Sequence, residues 1–151
     1  MGVKGIRACP LRSQVDPRLV RFSAGATAVI VAAALLILSA SRPLALGLLA
    51  SQVAIFAFTG LVSFQWSLWA QFFARVIWPR LAHTGSMVDS RPPRFAQLIG
   101  FVFTAMALIS FLVGVEVVGY GLTAIVLFTL ILNAATGICV GCWIYVRLGR
   151  R

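Results

Sequence analysis

Val15-Asp16-Pro17-Arg18-Leu19-Val20-Arg21-Phe22 and Val88-Asp89-Ser90-Arg91-Pro92-Pro93-Arg94-Phe95 share the pattern V-D-x-R-x-x-R-F, and each runs directly into a long apolar segment. A stretch that recurs with the same sequel marks a repeated structural unit. Each half then reads as a basic anchor, a helix across the bilayer, a tight turn and a helix back. The two stretches lie 73 positions apart, and the same offset sets Glu116 against Pro43, so the repetition extends through the turns between spans. Both halves start on the same side, which makes them parallel repeats about an axis along the membrane normal.

At 151 residues, 61% hydrophobic and 11% charged, the chain has too few charges to dress a soluble surface and too many apolar residues for one core of this length. That composition belongs to the membrane class. A hydrocarbon layer of roughly 30 Å needs about 20 apolar residues per helix, and stretches at 22–41, 44–64, 95–116 and 120–142 meet that need. The expected fold is an all-α membrane protein, with four transmembrane helices as two tandem helical hairpins and an interfacial amphipathic helix between them. It forms a single membrane domain: repeat one at 15–64, the interfacial helix and loop at 65–87, repeat two at 88–142 and a basic C-terminal tail at 143–151.

The net charge of +10 raises the question of nucleic acid. The cations, however, gather at the edges of the apolar segments. With the first span starting inside, Lys4, Arg7, Arg12, Arg18, Arg21, Arg75, Arg80, Arg91, Arg94, Arg147, Arg150 and Arg151 all fall on the cytoplasmic side, and Arg42 alone falls outside. This positive-inside bias predicts that both termini are cytoplasmic and that the partner of the basic residues is the lipid bilayer, not nucleic acid. Ser39-Ala40-Ser41 offers small residues of the cleavage type. The long basic region before the run, its spanning length and the prompt second span nevertheless predict a retained first helix. Cys9 reads as a thiol in an N-terminal tail.

Asp16 before Pro17 is an N-cap residue followed by the imino acid that suits the first helical turn, and Ser90 to Pro93 repeats that logic. Arg18, Arg21, Arg91 and Arg94 beside these caps are assigned to topology and lipid anchoring. Arg42-Pro43 breaks the first pair of spans, and Glu116 with Gly119 and Gly121 breaks the second. Between the halves, Phe64 to Leu81 mixes Trp66, Trp69, Phe72, Phe73, Ile77 and Trp78 with Gln65, Gln71, Arg75 and Arg80, the mixture of a helix lying in the interface. All four tryptophans, Trp143 included, fall at the inner boundary, as an aromatic belt does. His83 reads as a solvated loop residue.

Cys139-Val140-Gly141-Cys142 is where the halves part chemically. On one continuous helix the two thiols lie about 60° apart on neighbouring turns and can meet. In thioredoxin-like redox sites such a pair stands at a helix N-terminus. Placed near the C-terminal end of the fourth span, this pair faces a dipole that opposes thiolate formation, with Arg147, Arg150 and Arg151 as partial compensation. A disulfide there requires local unwinding, and a reducing cytoplasm opposes its persistence. Zinc needs about four ligands, which one Cys pair with distant His83 and Cys9 does not supply, so no metal site is assigned. Trp143 after Cys142 disfavours covalent haem. No cofactor is named by the sequence.

Asn133, Gly137 and Gly141 fall at i, i+4 and i+8 of the same expected helix. The two glycines let another helix approach closely, and Asn133 can bond across the contact or mark a solute path. The thiols point away from this stripe. Asp16, Asp89 and Glu116 are the acidic residues, which leaves little for general acid–base hydrolysis or proton-coupled transport.

Val15-Asp16-Pro17-Arg18, Arg21-Phe22, Arg91-Pro92-Pro93-Arg94-Phe95-Ala96-Gln97, Leu132-Asn133-Ala134-Ala135 and Gly137-Ile138-Cys139-Val140-Gly141-Cys142 with Tyr145 together resemble a bacterial family of small integral membrane proteins known as domain of unknown function 4395. The likeness covers nearly the whole chain. It implies a multi-pass protein of the bacterial plasma membrane. It also implies a neighbour of thioredoxin-like or sulfurtransferase type, with Cys139 and Cys142 handling thiols or sulfur. The leading functional expectation is a membrane component of cytoplasm-facing thiol redox or sulfur handling. The alternatives are a non-enzymatic scaffold or accessory subunit with structural cysteines, and solute movement along Asn133. Small-residue faces leave a homodimer open.

Overall fold

The computed structural model describes residues 14–62, 68–80, 88, 89 and 91–149. Cys9, Trp66, His83 and the Ser90 cap lie outside them. The elements run β1 (Gln14–Val15), α1 (Pro17–Ile37), α2 (Arg42–Leu61), α3 (Leu68–Phe72), β2 (Val88–Asp89), α4 (Arg91–Val113), α5 (Glu116–Thr136) and α6 (Val140–Gly149). A π-helical turn, Phe73–Ile77, and a 3-10 turn, Trp78–Arg80, prolong α3. The described residues are all-α apart from the β1–β2 bridge, in which Val15 pairs with Val88 and Gln14 with Asp89. Four helices, α1, α2, α4 and α5, are long and apolar enough to cross a membrane.

Each spanning helix begins earlier than its apolar run. Asp16 accepts the Arg18 backbone N–H at 2.8 Å, with Pro17 in the first turn, so α1 starts at Pro17 where hydropathy alone suggests residue 22. Likewise α4 starts at Arg91, before residue 95, and carries its two prolines in the first turn. The turn expected to rest on Gly119 and Gly121 lies elsewhere. Gly114, at φ 90°, stops α4, and the Val115 N–H closes back on Ser110 O at 2.8 Å, the six-residue closure typical of a glycine C-cap. Gly119 sits instead inside α5, where a Cβ would come within 2.8 Å of the Phe111 ring. That closeness lets Phe111 fill the α4–α5 contact with Ala34 and Leu49.

The packing is crossed. Besides its own hairpin partner, α1 packs on α5, and α4 packs on α2. Along α2 and α4, Thr59 donates to Gln97 Oε1 at 3.1 Å, and Phe56 lies against Gly100. One further turn brings Gln52 level with Thr104, both buried and without a polar partner among the described residues. At one end of the bundle Arg42 holds Glu116 at 2.7 Å and donates to Phe111 O. The opposite end carries Arg18, Arg21, Arg91, Arg94 and Arg147. Large apolar side chains face outward, Val117 at 85% and Leu36 at 78% exposure, a surface that lipid accommodates and water does not.

Contacts at the arginine-rich end come in matched pairs. Arg94 donates to Gly60 O and Leu61 O, capping α2 at 3.1–3.4 Å. Arg21, 73 positions earlier, donates to Ala134 O and Ala135 O, capping α5 at 3.0–3.3 Å. Phe22 stacks on Phe72 (5.9 Å), and Phe95 meets Tyr145 (5.5 Å) at the same offset. The pair Val15 and Val88 shares that offset too.

Candidate functional site

The fourth span does not run on to residue 142. After Thr136 the backbone turns left-handed at Gly137 (φ 74°), whose N–H bonds Asn133 O at 2.8 Å. Glycine takes that conformation without the Cβ penalty other residues meet. The Thr136 hydroxyl binds both sides of the break, donating to Leu132 O at 2.6 Å and accepting the Ile138 N–H at 3.3 Å. A new helix, α6, starts at Val140.

Cys139 is the residue that caps it. Its carbonyl accepts the Trp143 N–H at 2.9 Å and its Sγ accepts the Cys142 N–H at 3.3 Å, the place a serine or aspartate oxygen commonly takes. Cys139 and Cys142 are joined as a disulfide with their Cα atoms 5.1 Å apart. The expectation of a pair at the C-terminal end of a helix is thereby corrected. The pair opens a helix, so the nearer dipole end is positive and favours a thiolate. Because Cys139 stands outside the helical ladder, the bridge closes without the unwinding a mid-helix pair would need.

The break also divides the expected stripe of Asn133, Gly137 and Gly141. Asn133 is half-buried in the last turn of α5 and its carbonyl serves the stop. Gly137 makes the stop, with the Arg21 side chain alongside: a Cβ there would stand 3.5 Å from Arg21 Cδ. Gly141 is the point of close helix approach, since a Cβ would fall 2.5 Å from Ala96 Cβ and 2.7 Å from its Cα on α4. Phe95 against Tyr145 extends the same contact, while Arg147 lies over the exposed Trp143 ring at 5.1 Å. Among the arginines assigned to lipid, Arg21 and Arg94 turn onto helix ends. Arg18 lends its backbone N–H to Asp16, and Arg91 is exposed at the start of α4.

Two features escape a reading of the sequence by hydropathy. One is α6 itself, which occupies residues read as a basic tail. The offset from Phe72 to Tyr145 was the signal for it, because it extends the repetition beyond the second span of each half. The other is the reach of Arg21 across the fold to α5, which no local pattern encodes. Among the described residues no three His, Cys, Asp or Glu side chains gather at one point.

A four-span helical membrane protein with a disulfide at the head of a short helix after the fourth span is the class these observations define. The family model described as "Domain of unknown function (DUF4395)" matches residues 15–150, and the chain belongs to that family. No curated protein and no solved structure matches it.

Proposed function

We propose that the protein is a membrane component of thiol–disulfide exchange, with Cys139 and Cys142 as its reactive pair. The observation that carries this reading is the disulfide at the N-terminus of α6, with Cys139 Sγ held by the Cys142 N–H. In the oxidised state a thiolate of a protein dithiol attacks Cys139 Sγ. The Cys139–Cys142 bond breaks, a mixed disulfide forms, and Cys142 leaves as a thiolate. The second thiolate of the partner then attacks its own sulfur in that bridge and releases Cys139. Two electrons pass to the pair, the partner becomes a disulfide, and its two protons reach the released sulfurs through water. The reverse sequence reduces a partner disulfide.

The reading places the pair at the cytoplasmic face of a bacterial plasma membrane, in accordance with the clustering of arginines at that end. Disulfides in such a compartment are transient and catalytic or sensing, which suits exchange better than a permanent staple. The partner expected is a thioredoxin-like or sulfurtransferase protein. The chain is further read as a duplicated hairpin, supported by the matched Arg21 and Arg94 caps and by Phe22–Phe72 beside Phe95–Tyr145.

One observation favours a structural alternative: Gly141, between the cysteines, packs α6 on α4, as a scaffold would need. Trapping separates the two. Cys142→Ser in native membranes should accumulate mixed disulfides through Cys139 that reductant dissolves, and Cys139→Ser should abolish them. Absence of any adduct, together with an unchanged phenotype in the double serine variant, would leave the scaffold.

A further inference from the structure

Cys139 lies where two helices meet end to end, and their dipoles oppose each other there. The C-terminus of α5 contributes roughly half a negative charge and the N-terminus of α6 roughly half a positive one. A sulfur there, nearer the head of α6, feels that positive field only in part, because the end of α5 offsets it. Arg21 breaks the balance. Its guanidinium donates through Nε and Nη2 to Ala134 O and through Nη2 to Ala135 O, and its side chain runs beside Gly137, two residues from Cys139. A full positive charge placed on the negative helix end leaves the N-terminus of α6 as the uncompensated field.

We propose that Arg21 is a positioning residue for the thiol chemistry, which makes Cys139 the nucleophilic sulfur of the reduced pair by neutralising the carbonyl end of α5; this rests on the thiol-exchange reading above. The other charged or titratable groups at this end include Asp16, Arg18, Arg91, Arg94, Tyr145 and Arg147, and the contacts of Asp16, Arg94, Tyr145 and Arg147 are with partners other than the end of α5. From α4, Arg94 is engaged on Gly60 and Leu61, and Arg91 stands at the first residue of the helix. From α1, Asp16 caps the Arg18 N–H. On α6 itself, Tyr145 packs on Phe95 and Arg147 on Trp143. Arg94 is the natural control. It makes the same kind of cap 73 positions away on a helix end that leads to no cysteine.

The test uses full-length reduced protein in nanodiscs, with Cys9→Ser and Cys142→Ser leaving one thiol, and follows iodoacetamide alkylation of Cys139 against pH. Arg21→Gln should slow alkylation near neutrality by roughly threefold to tenfold and move the profile to higher pH. Arg94→Gln should weaken the fold comparably and leave the profile where it was. Should Arg21→Gln fail to fold, Arg21→Lys and Arg21→His take its place: the lysine keeps the profile, whereas the histidine, neutral above about pH 6.5, shifts it. Equal profiles for the Arg21 and Arg94 variants would overturn the inference while leaving thiol exchange standing. A Cys139 inert at every pH in the protein with Arg21 intact would overturn both.

Discussion

The short helices that follow the two hairpins, α3 and α6, are docked in corresponding ways and built from opposite materials. Phe22 receives Trp69, Phe72 and Phe73 of the first, and Phe95 receives Tyr145 of the second. At the offset of 73, Leu68 and Trp69 stand where Gly141 and Cys142 stand, and Trp66 stands where Cys139 does. The first half holds its helix with bulk, Ala70 and Phe73 being buried with Leu19. The second lets backbone approach backbone at Gly141 and leaves sulfur in place of indole. Docking contacts are thus shared between the halves, and the cysteines occupy positions where they differ.

That contrast breaks first at Gly141. Gly141→Leu, which copies the residue of the first half, meets Ala96 and should destabilise the protein by about 2 kcal/mol. Leucine at Gly47, where nothing lies within 4 Å of a Cβ, should change little. Thermal midpoints in detergent compare the two. If Gly141→Leu is harmless, the close approach is not what docks α6.

A smaller effect sharpens the aromatic half of the comparison. Among the described residues Phe22→Leu removes three ring contacts and Phe95→Leu removes one, so with about 0.5–1.5 kcal/mol per pair the first should cost more. Proteolysis of α3 and α6 in the respective variants reads the difference. The least effect belongs to the end where the halves meet directly. Arg42 and Glu116 are each about half exposed, at 47% and 51%. Glu116→Gln should therefore cost below about 1 kcal/mol, and raised salt should erase the difference.

Four apolar runs made the bundle legible, because burial in lipid and helical hydrogen bonding select the same residues. Hydropathy reported where lipid begins, while Asp16 and Pro17 decided where the helix begins. At the other end the failure was of a different kind. Ile138, Cys139 and Val140 continue an apolar run across a break that a single backbone torsion at Gly137 creates, so composition saw one helix where there are two. Thr136-Gly137 was the available sign, a helix stop at the end of a periodic run. The cysteine pair was visible at once, and its dipole environment was not, since its sign depended on that torsion. The contact of Arg21 with the end of α5 required knowing that α1 packs on α5, a tertiary fact.

The crossed packing also dictates an order of biogenesis. When α2 leaves the ribosome, the carbonyls of Gly60 and Leu61 wait for an arginine not yet translated, since Arg94 arrives only with the start of α4. Arg21 waits longer, because Ala134 and Ala135 follow it by 113 and 114 residues. Each hairpin thus draws the cap of its returning helix from the other. The cysteine pair follows those carbonyls in the chain, so Arg21 and the sulfurs come within reach of each other only after both hairpins are made.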